Sequence, residues 1–174
     1  YAARVGQRTA SELEALPLRS HVMLRTFGSY DISVNALKID EVISTRAQPQ
    51  AVAQGIGALI SAVPELVAQG KLQAQGYTNV ISFLENTSQL IDCNASDVTV
   101  ILLTDGFEDS EYANLTKGGA LPHPEALYPG CAELMMLGVG QGGGSPTVTK
   151  RVREQWAAWA EAAGFQKYTG LYDW

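Results

Sequence analysis

Apolar residues recur along the chain first at helical and then at strand spacing. Over residues 2–16, Val5, Leu13 and Leu16 are separated by arginine, glutamate and glutamine, which predicts a helix ended by Pro17. His21-Val-Met-Leu-Arg-Thr-Phe27 reads as a strand closed by Gly28-Ser29-Tyr30-Asp31. Ile32, Val34 and Ala36 then alternate with polar residues, and Leu37, Ile39, Val42 and Ile43 carry the apolar pattern on. A second strand is therefore expected, joined to the first by a short hairpin. Between Gln50 and Gln69 the residues Val52, Ile56, Leu59, Ile60, Val63, Leu66 and Val67 keep helical spacing. Pro64 is expected to kink or divide that helix.

Gly76-Tyr77-Thr78-Asn79 reads as a loop opening a helix whose buried side carries Val80, Ile81, Phe83, Leu84 and Leu90. Residues 98–104 form a strand, and 108–130 are expected to hold one or two short helices and a proline-rich loop. Ala132–Val139 is another strand, Gly140–Ser145 a glycine-rich loop, 147–163 an amphipathic helix, and 165–174 contains a last short strand. Strands alternating with helices predict a mostly parallel sheet covered on both faces. There is no internal repeat, low-complexity segment or linker, so residues 1–174 read as a single domain.

The run Val98-Thr-Val-Ile-Leu-Leu-Thr-Asp105-Gly106 carries the first chemical signal. A continuous apolar strand suits burial on both faces, and ligands of open α/β sheets bind beyond the carboxyl ends of such strands. Asp105 sits at that end, backed by Thr104 and followed by Glu108 and Asp109, a pattern suited to a hard cation. The competing role for Asp105 is to cap the following turn. Glu108, Asp109 and Glu111 fit either the surroundings of an ion or the solvated first turn of a helix.

Composition narrows the partners. The chain has 174 residues, 46% hydrophobic and 17% charged, enough for one substantial core. A net charge of −6 and a pI near 4.8 disfavour a nucleic-acid partner. The longest apolar runs fall short of the roughly 18 residues of a membrane span, so no direct membrane insertion is expected. No signal peptide is visible, and the chain opens within a helix, so upstream residues are expected. Cys93 and Cys131 each precede a strand-like run, which places both near one edge of a parallel sheet. A disulfide between them is sterically feasible and would indicate an extracytoplasmic setting; two unpaired thiols are the equal alternative.

Several other motifs carry less. Gly138-x-Gly140-x-x-Gly143 has dinucleotide-binding spacing, but no acidic residue ends a strand about 20 residues later, and a strand-to-helix turn explains the glycines. His21 and His123 pair with no nucleophile, and Ser145 lacks an esterase elbow. Trp156 and Trp159 share the buried side of the last helix with Val152 and Ala163. Asn86-Thr-Ser88, Asn94-Ala-Ser96 and Asn114-Leu-Thr116 fit the glycosylation pattern and lend only weak support to secretion.

Taken in order, the strand His21–Phe27 with Gly28-Ser29, the loop Gly76-Tyr-Thr78-Asn79, the run Ile101-Leu-Leu-Thr-Asp105-Gly106 and the run Leu134-Met-Met-Leu-Gly-Val-Gly140 resemble the von Willebrand factor A (vWA) domain family over nearly the whole chain. The resemblance implies a doubly wound, mostly parallel α/β sheet with helices on both faces and one antiparallel edge strand. It implies a metal-ion-dependent adhesion site in which magnesium, or else manganese or calcium, is held by oxygen ligands. The family's threonine ligand maps to Thr78 and its aspartate to Asp105. A protein partner's acidic side chain commonly completes the coordination.

The family's Asp-x-Ser-x-Ser motif is missing where it belongs, between a first strand and the first helix. That strand is central in the order 3-2-1-4-5-6. The missing strand is therefore expected from upstream residues or from another chain, because a sheet without it would expose two edges. Asp31-Ile-Ser33-Val-Asn35 comes close to the motif, but it follows a glycine-serine turn and runs into an alternating strand. The resulting expectation is a metal-dependent protein-binding, adhesion-type module rather than an enzyme, outside the cytoplasm. Its rivals are a structural domain with a degenerate, metal-free site and a metal-assisted hydrolase using Asp105 with Glu108 or Asp109.

Overall fold

The structure is a computed structural model that describes residues 1–27, 37–74 and 76–172. It is a mixed α/β protein with a two-stranded antiparallel sheet and a three-stranded parallel sheet. The chain divides into two compact units, residues 1–26 with 31–75 and residues 27–30 with 76–174.

The first unit contains helix α1 (Ala2–Glu14), strands β1 (His21–Arg25) and β2 (Lys38–Val42), and helix α2 (Pro49–Ala68). The strands pair antiparallel from His21 opposite Val42 to Arg25 opposite Lys38. The second strand expected from the sequence is formed over Lys38–Val42, and the short hairpin expected before it falls on residues outside the described ones. Asp31, Ser33 and Asn35 lie outside the described residues. Helix α2 runs through Pro64 undivided.

By length and composition α2 is apolar enough to cross a membrane, contrary to the estimate from apolar run lengths. Its Ala53, Ile56, Gly57 and Ile60 are buried, and it packs extensively on α1. The two helices touch backbone to backbone. A Cβ on Gly6 would lie 2.4 Å from the Gly57 carbonyl oxygen, and one on Gly57 would lie 2.8 Å from that of Gly6. Alanine ordinarily stabilises a helix interior over glycine by about 0.5–1 kcal/mol. Here Gly6→Ala is expected to reverse that sign and cost about 2 kcal/mol, because backbone must move to admit the methyl. Urea unfolding followed by circular dichroism measures it, and an unchanged or higher midpoint would refute the close contact.

The second unit contains α3 (Val80–Ser88), β3 (Thr99–Leu103), β4 (Glu133–Leu137), α4 (Pro146–Ala163) and β5 (Lys167–Leu171). The three strands are parallel, in the order β3-β4-β5, with Thr99 opposite Glu133 and Glu133 opposite Lys167. Four successive residues of the central strand, Leu134 to Leu137, are buried, so side chains on both faces of β4 lie inside. On one face Val100, Leu102, Leu134 and Met136 join α3 residues Val80, Ile81 and Leu84 and α4 residues Val152, Trp156, Trp159, Ala160 and Ala163 in one core. Leu90 is not part of it: the residue is 70% exposed beyond the end of α3.

Residues 108–130 contain no helix, against expectation. Pro122, Pro124 and Pro129 withhold amide donors, and Gly118 and Gly130 adopt left-handed φ of 86° and 84°. The segment is held by long-range bonds instead. Arg151 donates to the Leu115 carbonyl at 2.9 Å, Gln155 accepts from the Leu121 amide at 2.8 Å, and the Tyr128 hydroxyl donates to the Leu84 carbonyl at 2.6 Å. A disulfide joins Cys93 to Cys131, just ahead of β3 and β4, with Cα atoms 4.9 Å apart. The pairing foreseen as sterically feasible is formed.

Candidate functional site

Strand β3 ends at Leu103, and Thr104 and Asp105 follow at its carboxyl end. The chain reverses there because Gly106 takes φ 75°, a left-handed conformation open to glycine. A Cβ on Gly106 would lie 2.9 Å from Val139 Cγ2 and 3.0 Å from Trp156 Nε1, so the position has no room for a side chain. The indole of Trp156 donates to the Gly106 carbonyl at 2.7 Å and holds the turn from beneath. The Asp105 carboxylate is exposed and accepts from the Phe107 amide at 3.0 Å. Its pKa is raised, chiefly by partial burial of the carboxyl group and in spite of that hydrogen bond.

Two further segments converge on this turn. The amide of Gly140, in the loop after β4, donates to the Asp105 carbonyl at 2.6 Å. On the other side the loop before α3 pairs with the loop after Asp105: Asp109 N donates to Thr78 O at 2.9 Å, and Thr78 N to Asp109 O at 3.3 Å. The Thr78 and Asp105 loops and the Gly140 loop, far apart in sequence, are thereby hydrogen-bonded to one another.

Glu108 fastens the same junction. It is 0% exposed, and one carboxylate oxygen accepts from the Val80 and Ile81 amides at 2.8 and 3.3 Å. The other accepts from the Ser110 hydroxyl at 2.5 Å. The acid thus occupies the first amides of α3 from 28 residues away, where helix polarity favours a negative group. Its pKa is raised because the cost of burying the charge outweighs these hydrogen bonds. The solvated first turn of a helix, one of the two roles the sequence offered Glu108, is not what forms: the residue is a buried clamp between the loop after Asp105 and α3.

Asn79, quoted in the sequence motif without a role, caps α3. Its Oδ1 accepts from the Ser82 amide at 3.0 Å, as an asparagine ahead of an apolar helical run foreshadows. Its Nδ2 is buried without a hydrogen-bond partner among the described residues. Around this region Glu85 and Glu111 raise the pKa of exposed Tyr112, Glu85 contributing most. The rim is acidic.

A hydroxyl, a carboxylate and an orphaned buried amide suit a hard cation and an incoming oxygen acceptor in kind. In number they fall short: among the described residues no group of three or more His, Cys, Asp or Glu side chains could hold a metal. Thr78 and Asp105, the two residues singled out from the sequence, offer one hydroxyl and one carboxylate. Comparison of the chain with protein-family profiles, curated proteins and solved structures returned no match.

Proposed function

We propose that the chain is a metal-ion-dependent protein-binding module. Its type is the von Willebrand factor A domain, with magnesium (or manganese or calcium) bound at the edge where Thr78 and Asp105 lie. The observation that carries this reading is the reciprocal pairing of Thr78 with Asp109, four residues beyond Asp105 on the same loop. It puts the two ligand-bearing loops side by side at the carboxyl end of a parallel strand, where α/β sheets bind ligands. Thr78 would hold the ion through its hydroxyl and Asp105 through its carboxylate. The ion supplies positive charge, which lets an acidic side chain of a protein partner dock against an otherwise acidic rim.

The incomplete ligand set fits an absent strand. β3 pairs only with β4 among the described residues. Its sequence Thr99-Val-Ile-Leu-Leu103 has no charge, proline or other guard, which suits an interior strand rather than an edge. An added strand, from further residues of the polypeptide or from another chain, would cover that edge and bring ligands. The disulfide supports a secreted, periplasmic or cell-surface location. A second reading, a structural domain with a metal-free site, draws on the single carboxylate that the described ligands offer.

Calorimetric titration of magnesium and manganese into chelator-stripped protein tests the metal. Binding is expected in the native chain and is expected to vanish in Asp105→Ala, whose exposed side chain leaves the fold intact. Absence of binding to the folded native chain would reject the metal-dependent reading in favour of the structural one.

A further inference from the structure

We infer that the cleft between the glycine loop after β4, helix α4 and strand β5 binds a small ligand that joins a phosphate to a flat ring, as a nucleoside monophosphate does. The cleft measures about 1090 Å³, ample for a ligand of that size. It lies wholly within the second unit, and neither Thr78 nor Asp105 lines it. One wall is the face of α4 that carries Lys150 and Arg153. The floor is β5, where Tyr168 and Gly170 alternate onto one side of the strand, with Tyr172 just beyond its end.

The groups that would meet a phosphate are two cations and the loop amides. The chain carries a net charge of −6, yet Lys150 and Arg153 line this cleft against a single acid, Glu154. Lys150 reaches Glu154 at 3.6 Å, an exposed pair of little strength. Arg153 forms no ion pair among the described residues. Packing accounts for two of the loop glycines: a Cβ on Gly140 would lie 2.5 Å from Thr149, and one on Gly143 2.9 Å from Phe107. Gly142 and Gly144 instead border open space, and their amides donate to no acceptor among the described residues. The groups that would meet a ring are the tyrosines. A Cβ on Gly170 would lie 2.5 Å from the Tyr168 hydroxyl, so the Tyr168 side chain extends over that glycine and covers the floor. Burial raises the pKa of this hydroxyl and Arg153 opposes the rise, which places the guanidinium near it. Tyr172 is 48% exposed, and its carbonyl accepts from Gln141 Nε2 at 2.6 Å, so an uncovered ring stands beside the loop. Aromatic faces stack on flat rings, and a guanidinium fork grips two phosphate oxygens at once. The acid that a dinucleotide site uses for its ribose is missing after this loop, so the ligand class is a single nucleotide.

Adenosine monophosphate, titrated by calorimetry into the full chain with a metal chelator present, tests this cleft apart from the metal site. Saturable binding is expected, about tenfold or more tighter than that of inorganic phosphate, because the ring adds stacking. Arg153→Gln should weaken the nucleotide about tenfold or more, and its exposed position leaves the thermal midpoint unchanged. Tyr172→Ala should weaken the nucleotide and leave phosphate affinity as it was. In nuclear magnetic resonance spectra the Gly142 and Gly144 amide signals should move as the nucleotide is added. No saturable binding by the folded chain would overturn the inference, as would equal affinity for nucleotide and phosphate. Undiminished binding by Arg153→Gln, or signal shifts confined to residues outside the cleft, would overturn it equally. None of these failures touches the Thr78–Asp105 reading, which is tested with metal present.

Discussion

Breaking the Cys93–Cys131 disulfide is expected to cost the second unit about 4 kcal/mol of unfolding free energy, the size of the loop-closure entropy for a separation of this length. The bridged residues are 38 apart, and the loop encloses β3, the Asp105 turn and the irregular segment through Tyr128. That segment has neither helix nor strand to order it, so the constraint falls where the chain has most freedom to lose. Urea unfolding, followed by fluorescence of the buried Trp156, measures the effect in the native protein and in the Cys93→Ser, Cys131→Ser double variant. A shared midpoint would mean that the thiols are not paired in solution.

Replacing Glu108 by alanine should destabilise the fold by about 3 kcal/mol or more, because buried donors are left without an acceptor. The donors are the Val80 and Ile81 amides and the Ser110 hydroxyl. Glu108→Gln, which keeps a carbonyl for the amides, should cost about 1 kcal/mol. The two variants also differ from the native chain in pH dependence. The native state holds Glu108 with a raised pKa, so it binds that proton more tightly than the unfolded chain does. The resulting stability is fully present below the unfolded glutamate value, near 4.3, and is lost as pH rises through the raised folded value. Urea midpoints of the native protein minus those of Glu108→Gln should therefore decline over that window. A flat difference would show that the clamp titrates normally.

The elements themselves were largely legible in the sequence. The periodicity of residues 2–16, 50–69 and 147–163 foretold α1, α2 and α4, and the apolar runs ending at Asp105 and Val139 foretold β3 and β4. These segments carry local patterns that match the geometry they adopt. The failures lie where local pattern and long-range bonding part. Acidic residues after Asp105 resemble a helix start, but the Thr78 pairing and the Glu108 clamp claim that stretch first. Leu90 keeps the spacing of a buried helix face yet falls two residues beyond the helix end.

Sequence alone therefore determined most of the strands and helices, that the later strands run parallel, and that Asp105 stands at a strand's carboxyl end. Those are consequences of side-chain spacing and strand-end chemistry, which act over a few residues. Only the tertiary structure decided that the Thr78 loop pairs with the loop after Asp105, that Glu108 is buried rather than solvated, and that Asn79 holds an unmet donor. Each depends on hydrogen bonds between residues brought together by the fold, such as Glu108 with Val80, and no local periodicity encodes which distant amide will meet which carboxylate.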